Sequence, residues 1–327
     1  MERAHKILGY EKEESVLIRA LSSGKVFPTW IFYGPSGIGK ASIAIKFAKC
    51  LLAGTVPSGN TLDTDNVELS KTVDMRTHPD FFVLEQTEES VSIEDTRKLL
   101  MKVRKSPALS QRRVVLLENS SGLNKNIYNS LLKILEEPPR NTVMIMICDN
   151  IGTIPKTLLS RAAKIFFRPP NEASVKQILD NMNVPDSARL AQLSGGSVGY
   201  ALRLSQNNGI EIYENILKGF YCDGSVYRKT LKWIIDNNLC ENFAIIKSSI
   251  FRILKIYADM LCGVVDEKFA EEIKILEPIV SAHREYADHE IEKIQEIIYM
   301  TELHNHLILD KNAVIVNAFE RFFENKE

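Results

Sequence analysis

The stretch Trp30-Ile31-Phe32-Tyr33-Gly34-Pro35-Ser36-Gly37-Ile38-Gly39-Lys40-Ala41-Ser42 decides how the rest of the chain is read. A short apolar run, Trp30 to Tyr33, breaks into a glycine-rich turn and re-emerges as a helical pattern from Ile43 to Ala48. Gly34 to Lys40 has the spacing G-x-x-x-x-G-K, and between a strand and a helix that spacing reads as a phosphate-binding loop. Glycines let the backbone turn its N–H groups towards a phosphate, and the dipole at the helix N-terminus adds to the attraction. Lys40 is placed to reach the β- and γ-phosphates. The next residue normally gives a hydroxyl to Mg²⁺, but here it is Ala41, and the hydroxyl of Ser42 comes one position late. The candidate nucleotide site is therefore Gly34, Pro35, Ser36, Gly37, Ile38, Gly39, Lys40, Ala41 and Ser42, a loop that keeps its phosphate cradle and lacks its metal ligand.

Outward from this loop, the apolar runs Phe81–Leu84, Val114–Leu117, Thr142–Cys148 and Lys164–Phe167 predict four more strands. Helical patterns separate them, over 92–105, from Asn124 to the Pro138-Pro139 stop, and over Ile154–Ser160; a further helix, Glu11–Leu21, precedes the first strand. Near-continuous apolar strands alternating with helices imply a parallel sheet covered on both faces, an α/β domain. Gly54–Thr77 is polar and turn-rich without a clear period, and is expected to be a surface excursion.

Pro169-Pro170 breaks the composition and is followed by short helical patterns at 172–182, 186–193 and 194–204. Beyond Asn207-Asn208-Gly209 the strands cease. Long amphipathic stretches take over at 210–220, 225–236, 241–264, 267–280, 284–303 and 306–325. The expected domains are thus 1–168, 169–208 and 209–327. Ile245–Leu261 and Ala313–Phe323 carry more apolar positions than a small bundle needs, which points to assembly through the last domain.

The 327 residues exceed one typical core, in keeping with several domains. With 45% hydrophobic and 25% charged residues and a formal net charge of −1, the chain is not one that binds nucleic acid through a large basic face of its own. Its five cysteines are scattered, odd in number and without a C-x-x-C, the pattern of reduced thiols in the cytoplasm rather than of a metal site. The charged N-terminus has no apolar signal-peptide core, and no apolar run approaches the ~20 residues of a membrane span. His304 and His306 stand two apart in a predicted helix, on different faces, and make a poor metal pair. Arg97, Lys98, Lys102, Arg104, Lys105, Arg112 and Arg113 form a mildly basic region that reads equally as a solvated helix face or as a surface towards duplex DNA.

A hydrolytic phosphate-loop site needs an acidic pair at the end of a later strand, one for the metal shell and one to orient water. In Val114-Val115-Leu116-Leu117-Glu118-Asn119-Ser120-Ser121, Glu118 holds the first place, but Asn119 or Ser120 holds the second. Neither an amide nor a hydroxyl takes a proton from water. Paired with Ala41, this makes two independent losses from one hydrolytic site.

Three further runs carry a resemblance. Asn129-Ser130-Leu131-Leu132-Lys133-Ile134-Leu135-Glu136-Glu137-Pro138-Pro139 resembles the N-A-L-L-K-x-L-E-E-P-P run of clamp-loader ATPases, a branch of the AAA+ family. Pro155-Lys156-Thr157-Leu158-Leu159-Ser160-Arg161 is similar to the P-x-T-I-x-S-R run that follows it there. Ser194-Gly195-Gly196-Ser197-Val198-Gly199-Tyr200-Ala201-Leu202 resembles the family's lid motif. The chain departs from the pattern at Ala162, where an S-R-C triplet has cysteine, and at Tyr200, where active loaders have a nucleotide-sensing arginine. It also lacks the four-cysteine zinc module of many relatives, so no metal is expected.

The resemblance implies an AAA+ P-loop domain, a small helical lid and a helical collar for oligomerisation. It implies a subunit of the bacterial DNA polymerase III clamp loader that does not hydrolyse ATP, with gamma/tau ATPase subunits and the delta subunit as partners. The sliding clamp and primer–template DNA would be reached through the complex, in the cytoplasm and with no membrane. No cofactor is required, and binding of ATP or ADP without hydrolysis stays open. Arg161 would point across a subunit interface at a neighbour's ATP as an arginine finger, a role that suits a planar, permanently charged guanidinium. The bland alternative for Arg161 is a pair with a local carboxylate. One rival for the whole chain is a gamma/tau-type ATPase, against which Ala41, Asn119 and Tyr200 speak. A metabolic P-loop kinase is another, with no use for the L-E-E-P-P run or the helical C-terminus.

Overall fold

The computed structural model describes residues 8–85, 93–118, 134, 138–220, 224–237, 239–303 and 310–323. Asn119, Ser120, 129–133, 135–137, His304 and His306 lie outside the described residues, as do the side chains of Arg97 and Lys98. Two compact units are present, Met1–Leu202 and Arg203–Glu327.

The first unit is built on five strands: β1 (Thr29–Tyr33), β2 (Phe81–Glu85), β3 (Arg113–Glu118), β4 (Thr142–Cys148) and β5 (Ala163–Phe166). They pair in the order β2-β3-β4-β1-β5, every pair parallel. This is the parallel α/β architecture that the alternation of apolar strands and helices predicts. Successive side chains leave a strand on opposite faces, so one strand feeds two cores. Trp30 and Phe32 pack on one face against α1 (Glu11–Ser22) and α2 (Lys40–Ala53), whereas Ile31 packs on the other with α4 (Ile93–Val103) and α5 (Lys156–Leu159). Ile134, directly before the L-E-E-P-P run, is buried in that second core.

The stretch 54–77 is more ordered than its composition suggests. It contains α3 (Val67–Asp74), started by the Asn66 side chain accepting the Leu69 N–H at 3.0 Å. Only Val73 of this helix is buried. With Leu69 only half-buried beside it, the helix is too short and too lightly buried to write a clear period into the sequence.

After β5 come α6 (Glu172–Asn181), α7 (Ser187–Ser194) and α8 (Val198–Gln206), the last crossing the division between the units. The second unit continues through α9 (Gly209–Gly219), α10 (Gly224–Asp236), α11 (Phe243–Leu261), α12 (Ala270–His283), α13 (Ala287–Leu303) and α14 (Lys311–Phe323). The apolar surplus expected at its surface is spent inside it. Ile245, Ile246, Ile250, Ile253, Leu254 and Tyr257 of α11 are buried, as are Ile315, Phe319, Phe322 and Phe323 of α14. Phe220 lies 5.2 Å from Phe319 and 4.7 Å from Phe322 between ring centroids, and Tyr227 stacks on Phe323 at 4.7 Å. The reason is size: with six helices among its described residues from Gly209 on, the unit has an interior wide enough to absorb these side chains. None of the described helices is long and apolar enough to cross a membrane.

Candidate functional site

The loop between β1 and α2 is held from three sides. Tyr33 accepts the Phe167 N–H at 2.8 Å, which carries the chain after β5 past the start of the loop. Gly34 has φ 147°, and a Cβ there would sit 2.2 Å from the Phe167 carbonyl oxygen, so only glycine fits. Tyr10 donates its hydroxyl to the Ile38 carbonyl at 2.7 Å, and its ring meets Phe167 edge-on at 5.2 Å. Burial, with Glu13 adding to it, pushes the Tyr10 phenol above its ordinary range, so the hydroxyl remains a donor.

The third side is the start of α8. The Gly199 N–H donates to the Gly37 carbonyl at 2.9 Å, and the Ser197 hydroxyl donates to the Ser36 carbonyl at 3.2 Å. Ser197 also caps its own helix by accepting the Tyr200 N–H at 3.1 Å. A Cβ on Gly37, at φ 72°, would meet the Ser197 Oγ at 2.4 Å. The lid motif therefore rests on the crest of the phosphate loop, and the first turn of α8 gives an N–H to the loop's own backbone.

Inside the loop, Lys40 is 4% exposed. Its ammonium donates to the carbonyls of Gly34 and Pro35, the latter at 2.6 Å, and to Asp149 Oδ1 at 2.9 Å. Asp149 follows the last residue of β4, and Cys148 is in register with Tyr33, so the carboxylate is delivered beside the loop. Its side chain is 47% exposed. Burial pushes the neighbouring Cys148 thiol up to about 11, which leaves it protonated. Ala41 packs against the core and Ser42 is exposed, so the late hydroxyl does not replace the missing one. Glu118, at the end of β3, meets Arg76 Nη2 at 3.7 Å.

Arg161 stands at the other end of the sheet. It precedes β5, whose Ala163 is in register with Trp30, while the loop follows Tyr33, in register with Phe166. Three residue steps of strand, roughly 10 Å, separate the two ends. The guanidinium is exposed and Nη1 donates to the Thr157 carbonyl at 3.0 Å. Among the described residues no carboxylate forms an ion pair with it, so the local-carboxylate alternative has no support there.

The sequence reading did not single out Asp149 or Tyr10. The signal for Asp149 was an acid directly after the most apolar strand; for Tyr10 no local signal exists, because its partner is 28 residues away. Arg113, counted with a basic surface, is instead 3% exposed. It donates to the carbonyls of Lys102, Val103, Lys105 and Ser106 and pairs with Asp80 at 3.4 Å.

Residues 9–171 match the family model described as DNA polymerase III, delta subunit. Over 104 residues the chain is 33% identical to DNA polymerase III subunit delta' of Pseudomonas aeruginosa, a match covering 31% of this chain and 31% of that protein. Over 129 residues it is 29% identical to DNA polymerase III subunit tau of Escherichia coli (strain K12), covering 38% of this chain and 19% of that one. The chain thus spans less than a third of the length of either curated relative. A solved DNA polymerase III gamma subunit-related protein of Thermotoga maritima aligns with a TM-score of 0.44 at 15% identity, over 96% of this chain and 99% of the other.

Proposed function

We propose that this chain, a delta-prime-like member of the DNA polymerase III clamp-loader family, serves the loader as a subunit that does not hydrolyse ATP and lends Arg161 to the ATP of a neighbour. The placement of Arg161 carries this reading. An exposed guanidinium, without a carboxylate partner among the described residues and a strand's length from its own phosphate loop, is better placed for a nucleotide held by another chain than for its own. The state of Lys40 supports the other half. Its three donors are taken by two loop carbonyls and Asp149, so a triphosphate entering here must displace a carboxylate before it meets the ammonium. Ala41 in the metal-ligand position and Asn119 or Ser120 in place of the catalytic acid support the same half, since Glu118 is then left without the Mg²⁺ hydroxyl and the water-orienting acid.

In this reading the subunit works in a cytoplasmic hetero-oligomer with gamma/tau-type ATPase subunits and a delta-type subunit. It acts on the sliding clamp and primer–template DNA through that assembly, with 1–168 as the P-loop domain, 169–208 as the lid and 209–327 as the collar. The test is a loader rebuilt with wild-type, Arg161→Ala and Arg161→Lys versions of this chain. Folding and assembly should be unchanged, while clamp- and DNA-stimulated ATP hydrolysis falls in the alanine form and recovers poorly in the lysine form, because an ammonium lacks the planar fork. A finger is worth roughly 10³–10⁵ at its own site, diluted in the bulk rate by sites it does not serve. Equal rates in all three assemblies would return Arg161 to a surface role.

A further inference from the structure

At the N-terminal ends of β2 and β3, away from the phosphate loop, a cleft of about 470 Å³ opens, within the range of small-ligand sites. Arg76, His78, Phe82, Lys102, Lys105 and Arg113 line it, and among the described residues its lining contains no carboxylate. Asp80, fully buried, balances Arg113, and Arg76 shares Glu118 at 3.7 Å. The excess positive charge rests on Lys102 and Lys105, both exposed and without an ion pair among the described residues.

His78 supplies an independent indication. It is 8% exposed, and its Nδ1 accepts the Asp80 N–H at 3.2 Å. The neutral ring therefore carries its proton on Nε2, which donates to no acceptor among the described residues. Burial, opposed by Asp80, lowers the basicity of the ring, so this donor is present uncharged near neutral pH. Ammonium, guanidinium and imidazole N–H groups around one concavity match a tetrahedral oxyanion with three or more acceptor oxygens better than a planar carboxylate with two. Phe82 does not offer a stacking face, since Arg113 lies 5.4 Å and Lys102 6.0 Å from its ring centroid.

We propose that this cleft binds a phosphate group, held by Lys102, Lys105 and the His78 Nε2–H. The group can belong to a free polyphosphate or to a nucleic-acid backbone, read without regard to sequence because the lining among the described residues offers no free aromatic face. This site is separate from the phosphate loop and from Arg161, and stands or falls without them.

The test uses calorimetric titration of the full chain with sodium pyrophosphate and with a twelve-residue oligothymidylate. It compares wild type, Lys40→Ala and the double variant Lys102→Ala/Lys105→Ala, with thermal unfolding confirming that the exposed lysines are dispensable for the fold. Pyrophosphate affinity should survive Lys40→Ala and fall at least tenfold in the double variant. Oligothymidylate displaced by pyrophosphate, with a salt slope smaller by roughly 0.7 for each lysine removed, assigns the phosphate to a nucleic-acid backbone. Pyrophosphate binding with no oligothymidylate binding assigns it to a free polyphosphate. Unchanged affinities in the double variant, no binding of either probe, or preference of the cleft for an octaglutamate peptide over pyrophosphate would each overturn the proposal.

Discussion

Lys40 and Arg113 are buried cations at opposite ends of one sheet, 4% and 3% exposed, and each is held by backbone carbonyls and a carboxylate. The carboxylates make them different. Asp80 is wholly buried and also accepts the N–H groups of Ala108, Leu109 and Ser110 at 2.7, 2.7 and 2.9 Å. Burial alone would raise its pKa, but those three bonds and the Arg113 charge outweigh it and hold the carboxyl below the usual range. Asp149 is half in water where it meets the Lys40 ammonium. The Arg113 cluster is a permanent pin that ties the end of α4 to the start of β3. The Lys40 contact is an exchangeable latch. Burial of a charge says little until the exposure of its partner is known.

The widest separation between pin and latch should appear on removing their carboxylates. Asp80→Ala leaves Arg113 buried without its counter-charge, a loss of about 3–5 kcal/mol, read as a large fall in thermal midpoint. A midpoint within a degree or two of wild type would erase the distinction. The same carboxylate fixes a pH signature. Because its folded pKa lies below its unfolded one, Asp80 contributes stability above the unfolded value, near 3.9, and that contribution is lost as pH falls through the folded value. Denaturant titrations at successive pH values should show Asp80→Asn less stable at neutral pH and with a flatter slope below about pH 4.

Next in size is Gly34→Ala. The new Cβ meets a carbonyl oxygen of the neighbouring chain segment rather than a flexible side chain. It should cost roughly 1–3 kcal/mol in chemical denaturation, and a neutral result would mean that the loop is looser than its contacts imply. The smallest expected effect is at the latch. Asp149→Ala should change stability by no more than about 1 kcal/mol. It should also raise any affinity for ATP, measured calorimetrically, by up to about fivefold, the same energy released to the ligand. Affinity unchanged or lowered would show that Asp149 does not compete with phosphate.

The five strands and their parallel pairing were legible because each is a nearly unbroken apolar run, and the run Thr142–Cys148 has the same bounds as β4. The loop was legible because three glycines with positive φ, at 34, 37 and 39, are required by its course and are written in the sequence. What stayed hidden is relational. Val67–Asp74 buries one side chain, so it carries no period, although Asn66 and Glu68 mark its start. The partners of Lys40 and Arg113 are 109 and 33 residues away, distances over which charge pairing leaves no local trace. Arg113 reads as a surface cation and is a core one, and only the carbonyls at the end of α4 explain why an arginine, with its five donors, stands there. The apolar faces of α11 and α14 were visible; whether they meet each other or another chain depends on how many helices share the interior.

The contacts of Phe220 with Phe319 and Phe322 bear on the order of events during synthesis. The aromatic centre of the second unit joins its first full helix to its last, about a hundred residues later, so it is a long-loop closure that comes late. On the ribosome, the strands of the first unit can pair once Phe166 has emerged. The second unit must wait, with Phe220 and Tyr257 unburied, until α14 follows. That interval is when a nascent chain of this kind is most in need of a chaperone, and it ends only with the delivery of Phe319, Phe322 and Phe323.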